Sequence, residues 1–407
     1  MNDDLRADFQ RYVAQTSPAP IGLEIERAAG AWLYARDGKR YLDFISGIGV
    51  ANLGHAHPAV IAAIARQAER YLHVMVYGEY ALDAQVKLAR RLAQLLPAGL
   101  DQVYFTNSGA EAIEGALKTA RKRTGRSAFV AFEGAYHGDT MGALALAGNA
   151  AFRAPFEPLP GPVRHLPYGE IGALDAIDST VAAVVIEPVQ AEGGVRIPSV
   201  EFMHALRARC DQSGALLIFD EVLTGFGRTG KLFALEHFGV TPDIIVLAKA
   251  LGGGLPLGAF CASPSLLSVL AHDPPLGHIT TFGGHPLSCA AGLAAIDALT
   301  GEKLPDRAAR VGNTIMARLA QQAYPTVAAV RGIGLLIGIE LASADLTRQL
   351  VAKCIESGVI VNWTLNCDRV VRLAPPLTIS EEEVEFALET IERSLKEIEN
   401  RKIEKRK

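Results

Sequence analysis

No run of apolar residues in this chain reaches the length needed to cross a bilayer, so no membrane-spanning helix is expected. The N-terminus is polar and acidic, which does not match a secretory leader. Cysteine is scarce. Cys210, Cys261, Cys289, Cys354 and Cys367 are odd in number, scattered, and without metal-ligand spacing. They read as reduced, mostly buried thiols of a cytoplasmic protein rather than a disulfide framework. An excess of either charge is also missing: the formal net charge is −4, which gives no basis for binding nucleic acid or an anionic membrane. No repeat or low-complexity tract interrupts the chain. His55-Ala-His57-Pro58 offers two close histidines but no third ligand nearby, so a loop leading into a helix is preferred to a metal site.

What is present describes an ordinary globular protein of 407 residues, 49% hydrophobic and 21% charged, long enough for two or more domains. Helical and strand patterns alternate, which predicts an α/β fold. Continuous apolar runs at 103–105, 128–132, 181–186, 215–219, 244–248 and 259–262 read as strands covered on both faces, hence a mainly parallel sheet. Helical periodicity fills the gaps, as in 201–212, which stops at Gly214. Residues 1–60 are read as an N-terminal arm and part of a small domain, 61–300 as a large domain, and 301–407 as the remainder of a smaller α+β domain. This last part carries a glycine-rich strand at 331–341, a helix, a strand pair near 359–373, and a final charged helix. Its end, 397–407, reads as solvated and frayed.

Lys249, in Ile-Val-Leu-Ala-Lys-Ala-Leu-Gly-Gly-Gly (245–254), closes an apolar run just before three glycines. Lysine is rarely buried unless paired or reactive. A partly desolvated lysine has a lowered pKa and can form a Schiff base with an aldehyde. A second apolar strand ends on a carboxylate, Ala-Leu-Leu-Ile-Phe-Asp-Glu (215–221). An amine and an acid leaving neighbouring strands at one edge match the needs of pyridoxal phosphate. Lys249 would hold the aldehyde carbon, and Asp220 would keep the pyridine nitrogen protonated. A structural ion pair between the two is the competing account.

Phe-Thr-Asn-Ser-Gly-Ala-Glu-Ala (105–112) passes from a strand into a helix. Free N–H groups and the positive helix end suit a phosphate there, and Gly109 allows close approach. Ser108-x-x-Glu111 is equally a capping box, and the two readings coexist. Gly225-Phe-Gly-Arg-Thr-Gly230 matches a dinucleotide fingerprint in letters only, since Glu221–Thr224 separate it from the strand and no convincing helix follows. It is read as a structural turn.

Over nearly its whole length the chain resembles the class III pyridoxal-phosphate aminotransferases of fold type I. The resemblance rests on Tyr41-Leu-Asp-Phe-Ile-Ser-Gly-Ile-Gly-Val-Ala-Asn-Leu-Gly-His-Ala-His-Pro58, Asn107-Ser-Gly-Ala-Glu-Ala112, Gly134-Ala-Tyr-His-Gly138, Glu187-Pro-Val-Gln190 and Asp220-Glu-Val. Gly225–Gly230, Lys249-Ala-Leu-Gly-Gly-Gly254 and Thr281-Phe-Gly-Gly-His-Pro286 follow in the same order. It implies a large domain with a mainly parallel, seven-stranded-type sheet between helices, plus the smaller α+β domain.

The resemblance also implies roles. Lys249 would be the Schiff-base lysine and proton shuttle, with Asp220 on the pyridine nitrogen. Tyr136 would stack on the ring beside His137, and Val222 would pack on the other face. Ser108, Gly109 and Ala110 would hold the phosphate, and Glu187 lies among the cofactor residues. Thr281 would reach the phosphate bound by a partner subunit, so a homodimer with shared active sites is implied. Arg372 would grip a substrate α-carboxylate, and Glu192 would cover that arginine when an ω-amino group enters.

Two departures concern substrate choice. His137-Gly-Asp139-Thr140 stands where glutamate-handling members usually have His-Gly-Arg-Thr, so Asp139 would repel a distal carboxylate. Leu223 stands where those members usually have a glutamine. Both features resemble the diaminopelargonic acid synthase branch, which draws its amino group from S-adenosylmethionine. Expected substrates are therefore an amino acid or amine (ornithine-, acetylornithine- or lysine-like, or S-adenosylmethionine) and a 2-oxo acid. The expected reaction is transamination. Elimination or replacement at the side chain, or racemisation, is the alternative on the same cofactor.

Overall fold

The computed structural model describes residues 4–321 and 324–404, with side chains to residue 400. Its centre is a seven-stranded sheet in the order Gln102–Thr106, Gly258–Ala262, Ile244–Leu247, Leu216–Asp220, Val181–Ile186, Ala128–Phe132, Val163–Leu166. Gly258–Ala262 runs antiparallel to both neighbours; the other pairings are parallel. The strands at 181–186, 244–247 and 258–262 are buried along their whole length. This is why they appear as unbroken apolar runs rather than alternating ones. The edge strand Val163–Leu166 is only partly buried, and its Val-Arg-His-Leu sequence carries no such run. It escaped the sequence pattern for that reason.

The helix Gly109–Thr124 decides where a site can form. It leaves the first edge strand and packs across the strands at 258–262, 244–247, 216–220 and 181–186 before the chain enters Ala128–Phe132. Close approach requires small residues. A Cβ on Gly115 would stand 2.3 Å from the Phe260 ring. The helix starts at the edge where the parallel strands end, which is where ligands bind in open α/β sheets.

Two smaller sheets flank this core. Ile25–Ala29, Trp32–Ala35 and Arg40–Asp43 form an antiparallel meander, and Val359–Ile360 adds to it in parallel with Arg40–Asp43. The N-terminal segment is thus stitched to the C-terminal one. The second sheet is antiparallel, in the order Val327–Ile333, Leu336–Leu341, Cys367–Leu373, Asn362–Thr364.

The expected single strand at 331–341 is instead a hairpin turning at Gly334, whose φ is +57°. Apolar residues continue on both sides of the turn, so only this backbone conformation reveals the break. A Cβ at Gly334 would meet the carbonyl carbon of Thr229 at 2.3 Å and the carbonyl oxygen of Arg228 at 2.7 Å. Gly334→Ala is therefore expected to lower unfolding free energy by about 3 kcal/mol, measured by urea denaturation. A change below about 0.5 kcal/mol would show that the turn can relax.

The frayed end expected at 397–407 is corrected in part. The final helix runs Glu381–Glu404 and buries Val384, Leu388, Ile391, Leu395 and Ile398 along one face. Residues 405–407 lie outside the described part.

Candidate active site

A cavity of 660 Å³ opens at the carboxyl edge of the large sheet, lined by residues from five strand ends. Ser108–Ala110 follow Gln102–Thr106, Tyr136–Thr140 follow Ala128–Phe132, and Glu187, Ala191 and Glu192 follow Val181–Ile186. Asp220 ends its strand and is followed by Val222 and Leu223, while Lys249 and Gly254–Leu257 follow Ile244–Leu247. Parallel strands bring these residues together although they are spread over more than a hundred positions of sequence.

Lys249 sits on a left-handed backbone, φ +49°, an uncommon conformation for a residue with a side chain. Loss of water around the amine lowers its pKa, and the Arg372 charge lowers it further, against Glu192, Asp220 and Glu187. More of the amine is neutral at a given pH, as a nucleophile requires.

Asp220 is buried and does not pair directly with Lys249. Its Oδ2 lies 2.7 Å from His137 Nδ1, and its Oδ1 accepts from the Val222 N–H at 2.9 Å. The simple ion-pair account of Lys249 and Asp220 is thus not what holds either residue. Burial disfavours a charged His137, but the Asp220 hydrogen bond and charge raise its pKa overall. Its other ring nitrogen, Nε2, is buried without a partner among the described residues.

Glu187 is buried and accepts from the Tyr136 N–H at 3.0 Å and the Ala191 N–H at 3.2 Å. Desolvation pushes its pKa up to about 7. The Tyr136 hydroxyl donates to Asp139 Oδ2 at 2.8 Å at the cavity mouth. Burial and that carboxylate both raise the phenol above its ordinary range.

At the helix start, Ser108 Oγ accepts from the Glu111 N–H at 3.2 Å, but Glu111 does not return the bond to Ser108. It accepts instead from the N–H and Nδ2 of Asn107, both at 2.8 Å. Half of the expected capping box is present. The N–H groups of Gly109 and Ala110 precede the first bond of the helix, from Ala112 N–H to Ser108 O. A Cβ on Gly109 would stand 2.9 Å from a Val222 methyl, so glycine keeps the helix start and Val222 in contact.

Arg372 is buried behind the cavity wall. Its Nη1 donates to Glu192 Oε1, and its Nη2 reaches Asn362 Oδ1 at 3.4 Å. Glu192 also accepts from the Leu365 N–H at 2.7 Å. Glu192 therefore lines the cavity while Arg372 stands behind it. Thr281 is exposed and does not line the cavity of its own chain. His55 lies 2.8 Å from Asp43 in the loop that leads to the helix Pro58–Arg70, and Gly225–Gly230 forms a turn that does not start a helix, the next being the short 3₁₀ helix Ala234–His237.

Three contributors left no local signal in the sequence. Asn366 clamps the Gly134 and Ala135 carbonyls beside Tyr136, Asn362 pairs across the sheet with Arg372, and Val50 reaches the cavity from the N-terminal segment. Only tertiary pairing places them.

The donor set fits pyridoxal phosphate. It offers a helix start for the phosphate, a buried acid for the ring nitrogen, and an amine of depressed pKa for the aldehyde. The sequence matches the class III aminotransferase family over residues 12–395. The acetylornithine aminotransferase of Methanopyrus kandleri is 45% identical over 387 residues, covering 95% of this chain and 97% of that protein. The putrescine aminotransferase of Pectobacterium atrosepticum is 40% identical, covering 98% of this chain and 90% of that protein. Among solved structures, the ornithine aminotransferase of Toxoplasma gondii superposes with a TM-score of 0.91 at 34% identity, covering 98% of this chain and 96% of that one. The chain belongs to the class III aminotransferases, pyridoxal-phosphate enzymes that move amino groups. The comparisons favour this outcome over elimination, replacement or racemisation.

Proposed function

We propose that this enzyme takes its amino group from a donor whose reacting amine is distant from any second carboxylate and passes it to a 2-oxo acid. Ornithine, acetylornithine, lysine, a diamine such as putrescine, and S-adenosylmethionine are the candidate donors. The observation that carries this reading is the charge of the cavity. Four carboxylates line it (Asp139, Glu187, Glu192 and Asp220), and Lys249 is the one lysine or arginine among its lining residues. Asp220 and Glu192 are bonded to His137 and Arg372, and burial raises Glu187 to about 7, so Asp139 is the carboxylate that would attract an ammonium group and repel a second carboxylate.

Bound pyridoxal phosphate supplies an aldehyde that takes up the amino group and a ring that draws electrons from the neighbouring C–H bond. Ser108, Gly109 and Ala110 would hold its phosphate, and Tyr136 and Val222 would face the ring, with Glu187 fixing the Tyr136 backbone. Asp220, braced by His137, would hold a proton on the ring nitrogen. Lys249 would anchor the aldehyde, then move the proton from the carbon that bears the substrate amine. Glu192 would cover Arg372 while an ω-amine occupies the site. It would release the arginine when an α-carboxylate arrives, and the latched pair in the structure supports this.

We propose a homodimer in which Thr281 of one subunit reaches the phosphate of the other. Its exposure away from its own cavity, beside exposed Leu276, Ile279 and Phe282, supports this reading. Five free thiols, four of them buried, support a reducing cytoplasmic setting. The pairing of Val359–Ile360 with Arg40–Asp43 supports a small domain built from both chain ends.

A donor screen with ornithine, acetylornithine, lysine, putrescine, S-adenosylmethionine and glutamate tests the proposal. Distal amines should convert the bound cofactor to its amine form, and glutamate should do so poorly. Asp139→Arg should reverse part of that preference, raising kcat/KM for glutamate by about tenfold. Efficient use of glutamate by the unaltered enzyme would overturn the role given to Asp139.

A further inference from the structure

Arg228 is completely buried, yet among the described residues none of its hydrogen-bond acceptors is a carboxylate. Its Nη1 donates to the carbonyls of Leu335 at 2.9 Å and Pro375 at 2.6 Å. Its Nη2 donates to Asn52 Oδ1 at 2.7 Å and Ser46 Oγ at 3.4 Å. Burial and then the charge of Arg372 lower its pKa to about 9, with Asp43 acting the other way, so it stays protonated at neutral pH. A buried guanidinium without a contacting counter-ion is costly, and a structural turn does not require one.

The acceptors show what it does. Pro375 follows Arg372 by three residues, and the same stretch is held twice more. Ser46 Oγ donates to the Ala374 carbonyl at 2.7 Å, and the Ala374 N–H donates to the Phe44 carbonyl at 2.8 Å. Between Ser46 and Asn52 lies a turn of four consecutive left-handed residues, Ser46, Gly47, Ile48 and Gly49, with φ from 51° to 73°. Such backbone persists only where its surroundings over-determine it. A Cβ on Gly49 would touch Leu223 at 3.3 Å and come within 4.0 Å of Lys249 Cδ. The Arg228 backbone is pinned as well, since its carbonyl accepts from the Leu335 N–H at 2.9 Å and Asn52 Nδ2 donates to the Phe226 carbonyl at 2.8 Å.

We propose that Arg228 is a positioning residue: the two Nη arms of its fork clamp the 46–52 turn and the 373–375 segment to the loop after Asp220, and so set Arg372 at the correct distance from Lys249. Lysine cannot do this, because one ammonium does not reach four acceptors spread over both arms of a planar fork. The inference rests on the reading of Arg372 as the carboxylate grip.

The test uses two reagents that react with the cofactor aldehyde of the holoenzyme, followed by visible absorbance without turnover. Aminooxyacetate carries a carboxylate, and methoxyamine does not. Arg228→Lys should weaken aminooxyacetate by about tenfold while methoxyamine changes less than about twofold. Asn52→Ala, which removes one acceptor, should act in the same sense by about threefold, and it decides the matter if the lysine variant does not fold. Arg372→Ala is the control. If that variant binds aminooxyacetate normally, the reading of Arg372 fails. If it does not, but the Arg228 and Asn52 variants leave the ratio of the two reagents unchanged, the positioning role alone is overturned.

Discussion

Lys249→Ala should replace the visible absorbance band of the purified holoenzyme with the shorter-wavelength band of the free cofactor aldehyde and slow amino transfer by roughly four orders of magnitude. Two features of the structure make the effect this large. The amine stands at the end of a fully buried strand, where desolvation and the Arg372 charge depress its pKa. Among the described residues no other lysine lines the cavity to replace it. The helix start at Ser108–Ala110 is untouched, so the variant should still retain cofactor through gel filtration. A small primary amine added to the variant should restore part of the rate, since the missing group is a base rather than a structural prop. Retention of the wild-type spectrum would end the assignment of Lys249.

The second large effect is expected from Arg372→Ala. Loss of a bidentate grip on a carboxylate should raise KM for substrates with an α-carboxylate by roughly a hundredfold, or about 3 kcal/mol. Donors without such a carboxylate should be nearly unaffected. Glu192→Ala in the same series should act oppositely on α-carboxylate substrates, because it removes the competitor now bonded to the arginine. Steady-state kinetics that vary the 2-oxo acid, whose carboxylate lies beside its reacting carbon, and putrescine, which has no carboxylate, separate these outcomes. Equal losses for both substrates would mean that Arg372 supports the wall of the site rather than binding substrate. Removing the arginine also strands Glu192, so a thermal unfolding control belongs with the kinetics.

The parts of the site that were legible in sequence share one property: each sits where a local pattern breaks. Lys249 and Asp220 are charges at the ends of apolar strands, and Ser108–Ala110 mark a strand-to-helix junction. Those breaks arise because a sheet covered on both faces tolerates polar residues only at its rim. Gly214 likewise ended its helix as read, with φ +71°. The hairpin at Gly334 and the edge strand Val163–Leu166 were not legible. One hides inside a continuous apolar pattern, and the other lacks one.

The chain's own pattern determined the α/β architecture, the strand ends that carry chemistry, and the candidate amine and acid. Tertiary structure decided the rest. It joined Val359–Ile360 to the N-terminal meander and set Glu192 against Arg372 from segments 180 residues apart. It also turned Asp220 toward His137, and it buried Arg228 among four acceptors drawn from three distant stretches. Local patterns report burial and backbone preference, which are properties of a few neighbouring residues. Which side chain pairs with which depends on how distant segments pack.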